Sequence, residues 1–312
     1  MCGIVGLYLK NPQLQSKLGA LFAPMLLHMT QRGPDSAGFA VYRDEVPPDQ
    51  IKAVLQHPDI KFDWEEVRVH LGNFAGEPSI SVAHNHCLVV QQTTVEQFTG
   101  MLAAFSTEID IVSIGRHIEI YKEVGLPDAV AQRFGLNAMT GSHAIGHTRM
   151  ATESAVTTAG SHPFSTGNDV CLVHNGSLSN HNRLRRRLVE QGGTFKTDND
   201  TEVAAQYFDI KLQRGASLES VLLNALTDLD GFYTFAIGTT DGFAVLRDPI
   251  ACKPAVMAET DDWVGMASEF RALADLPDIG HANIWEPEPA VPYIWEGGTG
   301  ACASSSAMDS AA

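Results

Sequence analysis

The first forty residues alternate between continuous apolar runs and a helical pattern of apolar positions. "CGIVGLYL" is a short apolar run with β-branched residues, which is typical of a buried strand. A second apolar run, "GFAVYRD", predicts another strand, and between the two lies a predicted helix that ends at "QRGPDSAG", where glycine and proline interrupt it. The apolar residues of this helix recur at steps of three and four: Leu14, Leu18, Leu21, Phe22, Met25, Leu26 and Met29.

The pattern is less regular from residue 44 to about residue 140. This stretch opens with "DEVPPDQ", a loop by composition. Strand-like pieces follow, "SVAHNHCLVV" and "DIVSIGRHIEIY", and helical pieces lie around residues 94–105 and 127–134. We interpret the stretch as an inserted α+β subdomain.

From residue 141 onward the pattern again predicts sheets covered by helices, with much antiparallel pairing. "HAIGHTRMAT" and "DVCLVHNG" are predicted strands, and "FYTFAIGTTDGFAVLRD" is a predicted hairpin that turns near Asp241 and Gly242. Two further short strands are "AVMAE" and "VGMASE". The helical segments are "SNHNRLRRRLVEQGG", "DTEVAAQYFDIKLQRG", with Asp200 or Thr201 as its N-cap, and "SLESVLLNALTDLDG". The small, polar end "GGTGACASSSAMDSAA" is expected to be disordered.

Composition narrows the classes of function. The 312 residues are 44% hydrophobic and 19% charged, as in ordinary globular proteins, and a net charge of -16 argues against nucleic acid or an anionic membrane as partner.

Five cysteines without a CxxC pair indicate free thiols in a reducing compartment. "HNHC" places His84 and His86 on one face of a strand without an evident third ligand, so we expect no metal. With no membrane-length apolar run and no signal-type start, we expect a cytoplasmic protein.

Cys2 stands directly behind the initiator methionine. A small second residue favours removal of Met1, which would leave a thiol and a free α-amine on one residue. An α-amine has a reference pKa of about 7.7–8.0 and can act as a base near neutrality, and an N-terminal nucleophile can use it to activate its own side chain. An inert early cysteine is the more common case, so Cys2 alone does not predict catalysis.

Four further motifs change this interpretation: "QRGPDSAG" (31–38), "GHTRMAT" (146–152), "HNGSLSN" (174–180) and "TDNDTEV" (197–203). Singly, each has an ordinary structural explanation, such as a surface ion pair, a hairpin turn or a helix cap. Together, in this order behind "MCGIVG", they resemble the class II glutamine amidotransferases. These are N-terminal-nucleophile enzymes that release ammonia from glutamine. The resemblance covers roughly residues 1–43 and 141–275.

The resemblance implies a fold and a domain division. The implied fold class is α+β, a four-layer αββα sandwich of the N-terminal-nucleophile hydrolase type with an inserted α+β subdomain. We expect an amidotransferase domain over residues 2–275, interrupted by the insertion at about 44–140. A C-terminal extension over residues 276–312 would follow.

The resemblance also implies a site for glutamine that agrees with the chemistry of the residue types. A planar guanidinium suits the α-carboxylate of glutamine, a carboxylate suits its α-ammonium, and N–H donors stabilise the oxyanion that forms on attack at the amide. Asp198 is a weaker candidate for the ammonium than Asp200. No cofactor is implied. The matching residues are Cys2 as nucleophile, Asn175 and Gly176 as oxyanion hole, and Arg32, Arg149, Thr152 and Asp200 as substrate-binding groups.

The loop around Arg149 departs from the family pattern. The family loop usually resembles GHTRWATHG, whereas this chain has "GHTRMATES", with Met150, Glu153 and Ser154 at the altered positions. A further negative charge at Glu153 would weaken glutamine binding or alter the preferred substrate.

Family members usually carry a synthase domain, and about forty residues after 275 are too few for one. We therefore expect a separate synthase subunit of the glutamate-synthase-like or N-methylglutamate synthase type, which would hold the flavin and iron–sulfur chemistry. Two alternatives stay open: a free-standing amide or γ-glutamyl hydrolase, and a non-catalytic regulatory subunit.

Overall fold

A computed structural model describes residues 2–151, 156–167, 169–297 and 299–303. In chain order, the strands are β1 (Gly3–Leu9), β2 (Ser36–Tyr42), β3 (Ile51–Gln56), β4 (Ser79–Ala83), β5 (His86–Gln91), β6 (Asp110–Gly115), β7 (Ile118–Val124), β8 (His143–Arg149), β9 (Phe164–Gly167), β10 (Val170–Leu178), β11 (Gly231–Thr239), β12 (Gly242–Arg247), β13 (Val256–Glu259), β14 (Trp263–Ala267), β15 (Asn283–Trp285), β16 (Tyr293–Glu296) and β17 (Thr299–Ala303). The α-helices are α1 (Leu18–His28), α2 (Trp64–Ala75), α3 (Val95–Phe105), α4 (Pro127–Arg133), α5 (His181–Glu190), α6 (Asp200–Gln213) and α7 (Leu218–Asp228). Short 3-10 helices lie at Pro12–Lys17, Leu136–Ala138, Phe270–Ala272 and Ile279–His281.

Two large sheets lie face to face between layers of helices. The first has the strand order β15-β13-β14-β1-β8-β2-β7, and the second has the order β17-β16-β12-β11-β10-β9. On β1, a Cβ added at Gly6 would lie 3.3 Å from the Phe243 ring of β12, so this face of the first sheet packs on the second. Its other face packs on α1, and α5, α6 and α7 share an apolar core with the second sheet. The predicted four-layer αββα sandwich is confirmed.

A smaller sheet is formed within the predicted insertion. The strands β4-β5-β3-β6 lie in that order, and with α2 and α3 they have the β-α-β-β-α-β connectivity of a split βαβ unit. The helices cover one face of this sheet over an apolar core of their own that contains Trp64 and Phe98. We call residues 51–115 the inserted subdomain. Strand β7 and helix α4 follow it in the chain, and β7 is the edge strand of the first large sheet.

Several local predictions differ from the structure. "SVAHNHCLVV" forms a hairpin of β4 and β5, because His84 takes φ +57° in a turn between them. "DIVSIGRHIEIY" is likewise two strands, β6 and β7, which lie in different sheets. Helix α1 begins at Leu18 rather than Leu14, since a 3-10 helix with a proline near its start precedes it. Helix α2 was not predicted.

The chain after residue 275 joins both large sheets. Strand β15 pairs with β13 in the first sheet, and β16 pairs with β12 in the second. Disorder was predicted for residues 297–312, and this prediction was wrong for residues 299–303, which form β17 and pair with β16. Residues 298 and 304–312 lie outside the described residues. The predicted boundary at residue 275 therefore lies within the sandwich, because strands on its far side complete the sheets.

Candidate active site

Cys2 is held at the start of the central strand of the first sheet. Gly3 pairs with Thr148 of β8, and a Cβ at Gly3 would lie 2.8 Å from both the Met29 Cβ and the Thr148 Oγ1, so only glycine fits there. On the other side of β1, the Ile4 amide donates to the Ser268 Oγ at 2.9 Å. The half-buried Cys2 is thus attached to a backbone that is fixed on both sides.

Arg32 holds the backbone of Cys2 itself. Its Nε donates to the Cys2 carbonyl oxygen at 2.9 Å, and its Nη1 forms an ion pair with the Glu269 Oε1 at 2.8 Å. The buried Nη2 makes no hydrogen bond to any residue that the structure describes. The predicted Arg32 therefore lies beside the predicted nucleophile, where it orients the first peptide group.

Glu269 was not identified from the sequence. It lies two residues after the end of β14, and the antiparallel register of β14 against β1 places that end beside the start of β1. Its carboxylate balances the charge of the buried Arg32. Only this register would have indicated the pairing, since the two residues are 237 positions apart.

Arg149 ends β8, next to the position that pairs with Gly3, and it is 6% exposed. Its backbone is fixed by Asp35, whose amide donates to the Arg149 carbonyl at 3.1 Å and whose Oδ2 accepts from the Ala151 amide at 2.8 Å. Arg149 and Cys2 are thus carried by adjacent strands at the same end of the first sheet. The predicted Thr152 lies outside the described residues, as do Glu153 and Ser154.

Asn175 and Gly176 lie on β10 of the second sheet. Asn175 is 4% exposed, and its buried Nδ2 makes no hydrogen bond to any described residue. Gly176 takes φ +149°, and a Cβ there would lie 1.8 Å from the Phe232 carbonyl oxygen, so only glycine is tolerated. An amide donor in a buried position without an acceptor is free to bind an oxygen of a ligand.

Asp200 lies at the start of α6, close to the end of β10. Its Oδ2 accepts from the Leu178 amide at 2.8 Å, and its Oδ1 lies 3.7 Å from the His174 Nδ1. Burial alone would raise the pKa of Asp200, but the nearby His174 and the hydrogen bond from the Leu178 amide lower it to about 2. The group is therefore an anion at neutral pH, as binding of an ammonium requires. Asp198, the weaker candidate, precedes the helix.

The predicted N-cap of this helix was wrong. Helix α6 begins at Asp200, and the residue before it, Asn199, is the cap, since its side chain accepts from the Thr201 amide. Neither Asp200 nor Thr201 caps the helix, so their side chains are available for contacts with Leu178 and His174. The Thr201 hydroxyl contacts the His174 Nδ1 at 3.1 Å and the His162 Nε2 at 3.3 Å.

Three buried imidazoles, which no sequence pattern indicated, connect these elements. His147 on β8 stacks on His162 with ring centroids 3.9 Å apart, and its Nε2 contacts the His174 carbonyl of β10 at 3.1 Å. The contact joins the strand of Arg149 to the strand of Asn175. Cys2, Arg149, Asn175 and Asp200 are therefore carried by neighbouring ends of β1, β8, β10 and α6.

Because several buried histidines are neutral in the folded protein, we predict that the free energy of unfolding falls in mild acid. Burial lowers the pKa of His86, His143 and His147 to about 3, and burial together with His147 and His174 lowers that of His162 well below its usual range. The unfolded chain binds protons near pH 6.5 and the folded chain does not, so unfolding is favoured as the pH falls from about 6.5 toward 3. Each such histidine contributes a slope of roughly 1.4 kcal/mol per pH unit within that window.

Urea denaturation at pH 7.5, 6.5 and 5.5 measures this slope. Replacing His143 by glutamine should reduce the slope by about one histidine's share, roughly 1.4 kcal/mol per unit. The matched control is His281→Gln at an exposed position, which should leave the slope unchanged. A free energy of unfolding that is equal at pH 7.5 and pH 5.5 would contradict the prediction.

Within the described residues, no group of three or more His, Cys, Asp or Glu side chains could hold a metal ion. The helices described here include none that is long and apolar enough to cross a membrane. The Nδ1 atoms of His84 and His86 both contact the Asn85 Oδ1, whereas the buried His86 Nε2 makes no hydrogen bond to any described residue.

Comparison with known proteins gives consistent similarities. Residues 147–275 match the family described as "Glutamine amidotransferase domain". The "Glutamine amidotransferase-like protein GlxB" of Rhizobium meliloti (strain 1021) is 53% identical over 298 residues, which are 95% of this chain and 98% of that protein. A Methanothermobacter thermautotrophicus protein, provisionally named a glutamine amidotransferase, is 35% identical over 92% of this chain and 97% of its own length. The fold resembles that of the glutamine phosphoribosylpyrophosphate amidotransferase of B. subtilis, with a TM-score of 0.60, 22% identity, and coverage of 95% of this chain and 47% of that one.

Proposed function

From the premise that this chain belongs to the class II glutamine amidotransferases, which hydrolyse glutamine, we propose that it is the glutaminase subunit of a larger synthase. In this proposal it forms a thioester on Cys2 and supplies ammonia to a separate subunit of glutamate-synthase-like type. The single observation that best supports the chemistry is the buried Asn175 Nδ2, which has no partner among the described residues. That donor lies on the strand linked to the Arg149 strand by the contact between His147 and His174.

Cys2 carries out both halves of the proposed reaction. After Met1 is removed, its α-amine accepts the thiol proton, and the sulfur attacks the side-chain amide carbon of glutamine. The Asn175 Nδ2 and the Gly176 amide then stabilise the oxyanion. As the carbon–nitrogen bond breaks, the α-ammonium returns the proton and ammonia leaves. Water, deprotonated by the same amine, attacks the thioester and releases glutamate, which restores the thiol.

Two charged residues select the amino-acid end of the substrate in this proposal. Arg149 binds the α-carboxylate through its planar fork, and Asp200, which is ionised at neutral pH, binds the α-ammonium. Arg32 has a positioning role, since its Nε is already used on the Cys2 carbonyl. Thr152 would add a hydroxyl donor to the carboxylate site.

Glutamate release from glutamine by the purified chain tests the subunit role. We expect slow turnover by the chain alone and faster turnover when extract of its native source is added, followed by recovery of a flavin- or iron–sulfur-containing companion. Full turnover without extract would instead support a free-standing amide hydrolase. No glutamate release under either condition would support a non-catalytic subunit and overturn the proposal.

A further inference from the structure

We propose that Lys122 and Glu123, adjacent residues of β7, are positioning residues that shape the glutamine site through the segment 157–163 and connect that segment to the inserted subdomain. This inference rests on the proposed function. We call residues 157–163, which precede β9, the site-backing segment. Its inner side lies against residues proposed to bind glutamine, and its outer side is bonded to β7.

Lys122 binds the site-backing segment by three hydrogen bonds. Its Nζ donates to the carbonyl oxygens of Ala159 at 3.2 Å, Ser161 at 2.8 Å and Pro163 at 3.3 Å, which uses all three N–H groups of the ammonium. The same ammonium lies 4.5 Å from the centroid of the Phe164 ring. Lys122 is 7% exposed, so these bonds form largely without competition from water.

Glu123 extends the connection into the inserted subdomain. Its Oε1 accepts from the Thr158 hydroxyl at 2.5 Å, and its Oε2 accepts from the Asn85 Nδ2 at 2.6 Å. Asn85 is buried in the turn between β4 and β5. A continuous path of hydrogen bonds therefore runs from a hairpin of the subdomain, through Glu123, to the site-backing segment.

The inner side of the segment contacts groups around Arg149 and Asp200. A Cβ added at Gly160 would lie 3.8 Å from the Arg149 Nη1, and the Gly160 carbonyl accepts from the Asn199 Nδ2 at 3.4 Å. His162 stacks on His147, two residues before Arg149, and contacts the Thr201 hydroxyl. A shift of the segment would therefore alter the surroundings of both proposed substrate-binding charges.

A cavity explains why the segment needs these bonds. A space of about 330 Å³ lies between β6 of the subdomain, β9 and α6, and Lys122 and two residues of the segment, Thr158 and Ala159, are among its lining residues. Packing on that side is incomplete, so the segment could move outward if it were not held. The bonds from Lys122 and Glu123 oppose that movement.

The charge of Lys122 makes the connection sensitive to pH near neutrality. Burial lowers the pKa of Lys122 to about 7; the nearby Lys196 lowers it further, and Glu202 and Asp110 oppose the shift. The other titratable neighbours are Glu123, His86 and His162, and the two histidines are neutral. Above pH 7 the amine retains two protons for three carbonyls, and one hydrogen bond is lost. The KM for glutamine should therefore rise between pH 6.5 and 8.

The test replaces Lys122 by methionine, which preserves the length of the side chain and removes its donors. We expect the KM for glutamine to rise roughly tenfold while kcat changes less than about threefold, because positioning for binding is lost and the reacting groups stay in place. The rise of KM with pH should be absent in this variant. Lys61→Met, at an exposed lysine of the inserted subdomain, is the matched control and should behave as the wild type.

A milder pair of variants keeps the inference testable if Lys122→Met folds poorly. Thr158→Val removes the hydroxyl that donates a hydrogen bond to Glu123 and should raise the KM for glutamine about threefold. Thr158→Ser retains the hydroxyl and should match the wild type. Amide hydrogen exchange over 157–163 should be faster in Lys122→Met and Thr158→Val than in Lys61→Met.

The outcomes separate this inference from the proposed function. An active wild type with an unchanged KM in both Lys122→Met and Thr158→Val would overturn the inference and leave the function intact. A wild type that does not hydrolyse glutamine with or without extract of the native source would overturn the function, and hydrogen exchange would then decide whether the segment is held by β7. Unchanged exchange in both variants would overturn the inference in that case as well.

Discussion

Replacing Cys2 by alanine is expected to reduce glutamine hydrolysis by at least about 10⁴-fold and to leave the fold intact. The loss should be this large because the proposed reaction uses the sulfur in both half-reactions, and no neighbouring group can substitute for it. The fold should persist because the bonds at this position are made by the backbone. Arg32 binds the Cys2 carbonyl, and the neighbouring Ile4 amide binds Ser268.

Two further variants separate the thiol from the amine. Inserting one lysine between Met1 and Cys2 preserves the sulfur and moves the α-amine away, so activity should be lost although the thiol is present. Cys252→Ala is the matched control, since Cys252 is an exposed free cysteine, and it should retain full activity. Glutamate release, intact mass and thermal midpoint are measured on each protein. Normal turnover by Cys2→Ala, or by the active wild type with Met1 still attached, would contradict the mechanism.

The sequence predicted those parts of the fold that local patterns determine. The apolar run of β1, the three- and four-residue spacing of α7 and the turn before Gly242 are properties of short segments, and the structure has all three. The order of four motifs behind Cys2 led to the family. Pairing across long sequence separations was not accessible in this way. Whether β6 and β7 belong to one sheet depends on distant partners, and their continuous apolar pattern does not reveal it.

The same distinction between local patterns and distant pairing applies to the residues of the candidate site. Residues within recognisable motifs, such as Arg149 and Asn175, could be predicted, whereas their supporting partners could not. Glu269, His162 and Lys122 each act through contacts with residues more than thirty positions away in the chain. A buried ion pair or a lysine bonded to three carbonyls has no local signature, because its meaning depends on which strands become neighbours. The supporting residues could therefore be identified only from the structure.

Replacing Asn175 is expected to lower kcat by about 10²–10³-fold with little change in KM. The Nδ2 makes no hydrogen bond within the described protein, so its stabilisation is available to the oxyanion that exists only in the transition state. Since the Nδ2 has no internal hydrogen bond to lose, Asn175→Ala should not lower the thermal midpoint on that account. Gly176 cannot serve for this test, since a Cβ there would overlap the Phe232 carbonyl and distort β10.

Asn175→Asp makes the test sharper because it preserves the size of the side chain. It replaces a hydrogen-bond donor by a carboxylate at the position of the developing negative charge, so its kcat should fall at least as far as that of the alanine variant. Asn224→Ala, on the exposed face of α7, is the control and should turn over glutamine normally. Steady-state kinetics and thermal midpoints are compared for all three variants. A kcat within about threefold of wild type for a folded Asn175→Ala would remove this residue from the oxyanion hole, since the loss of such a donor costs far more.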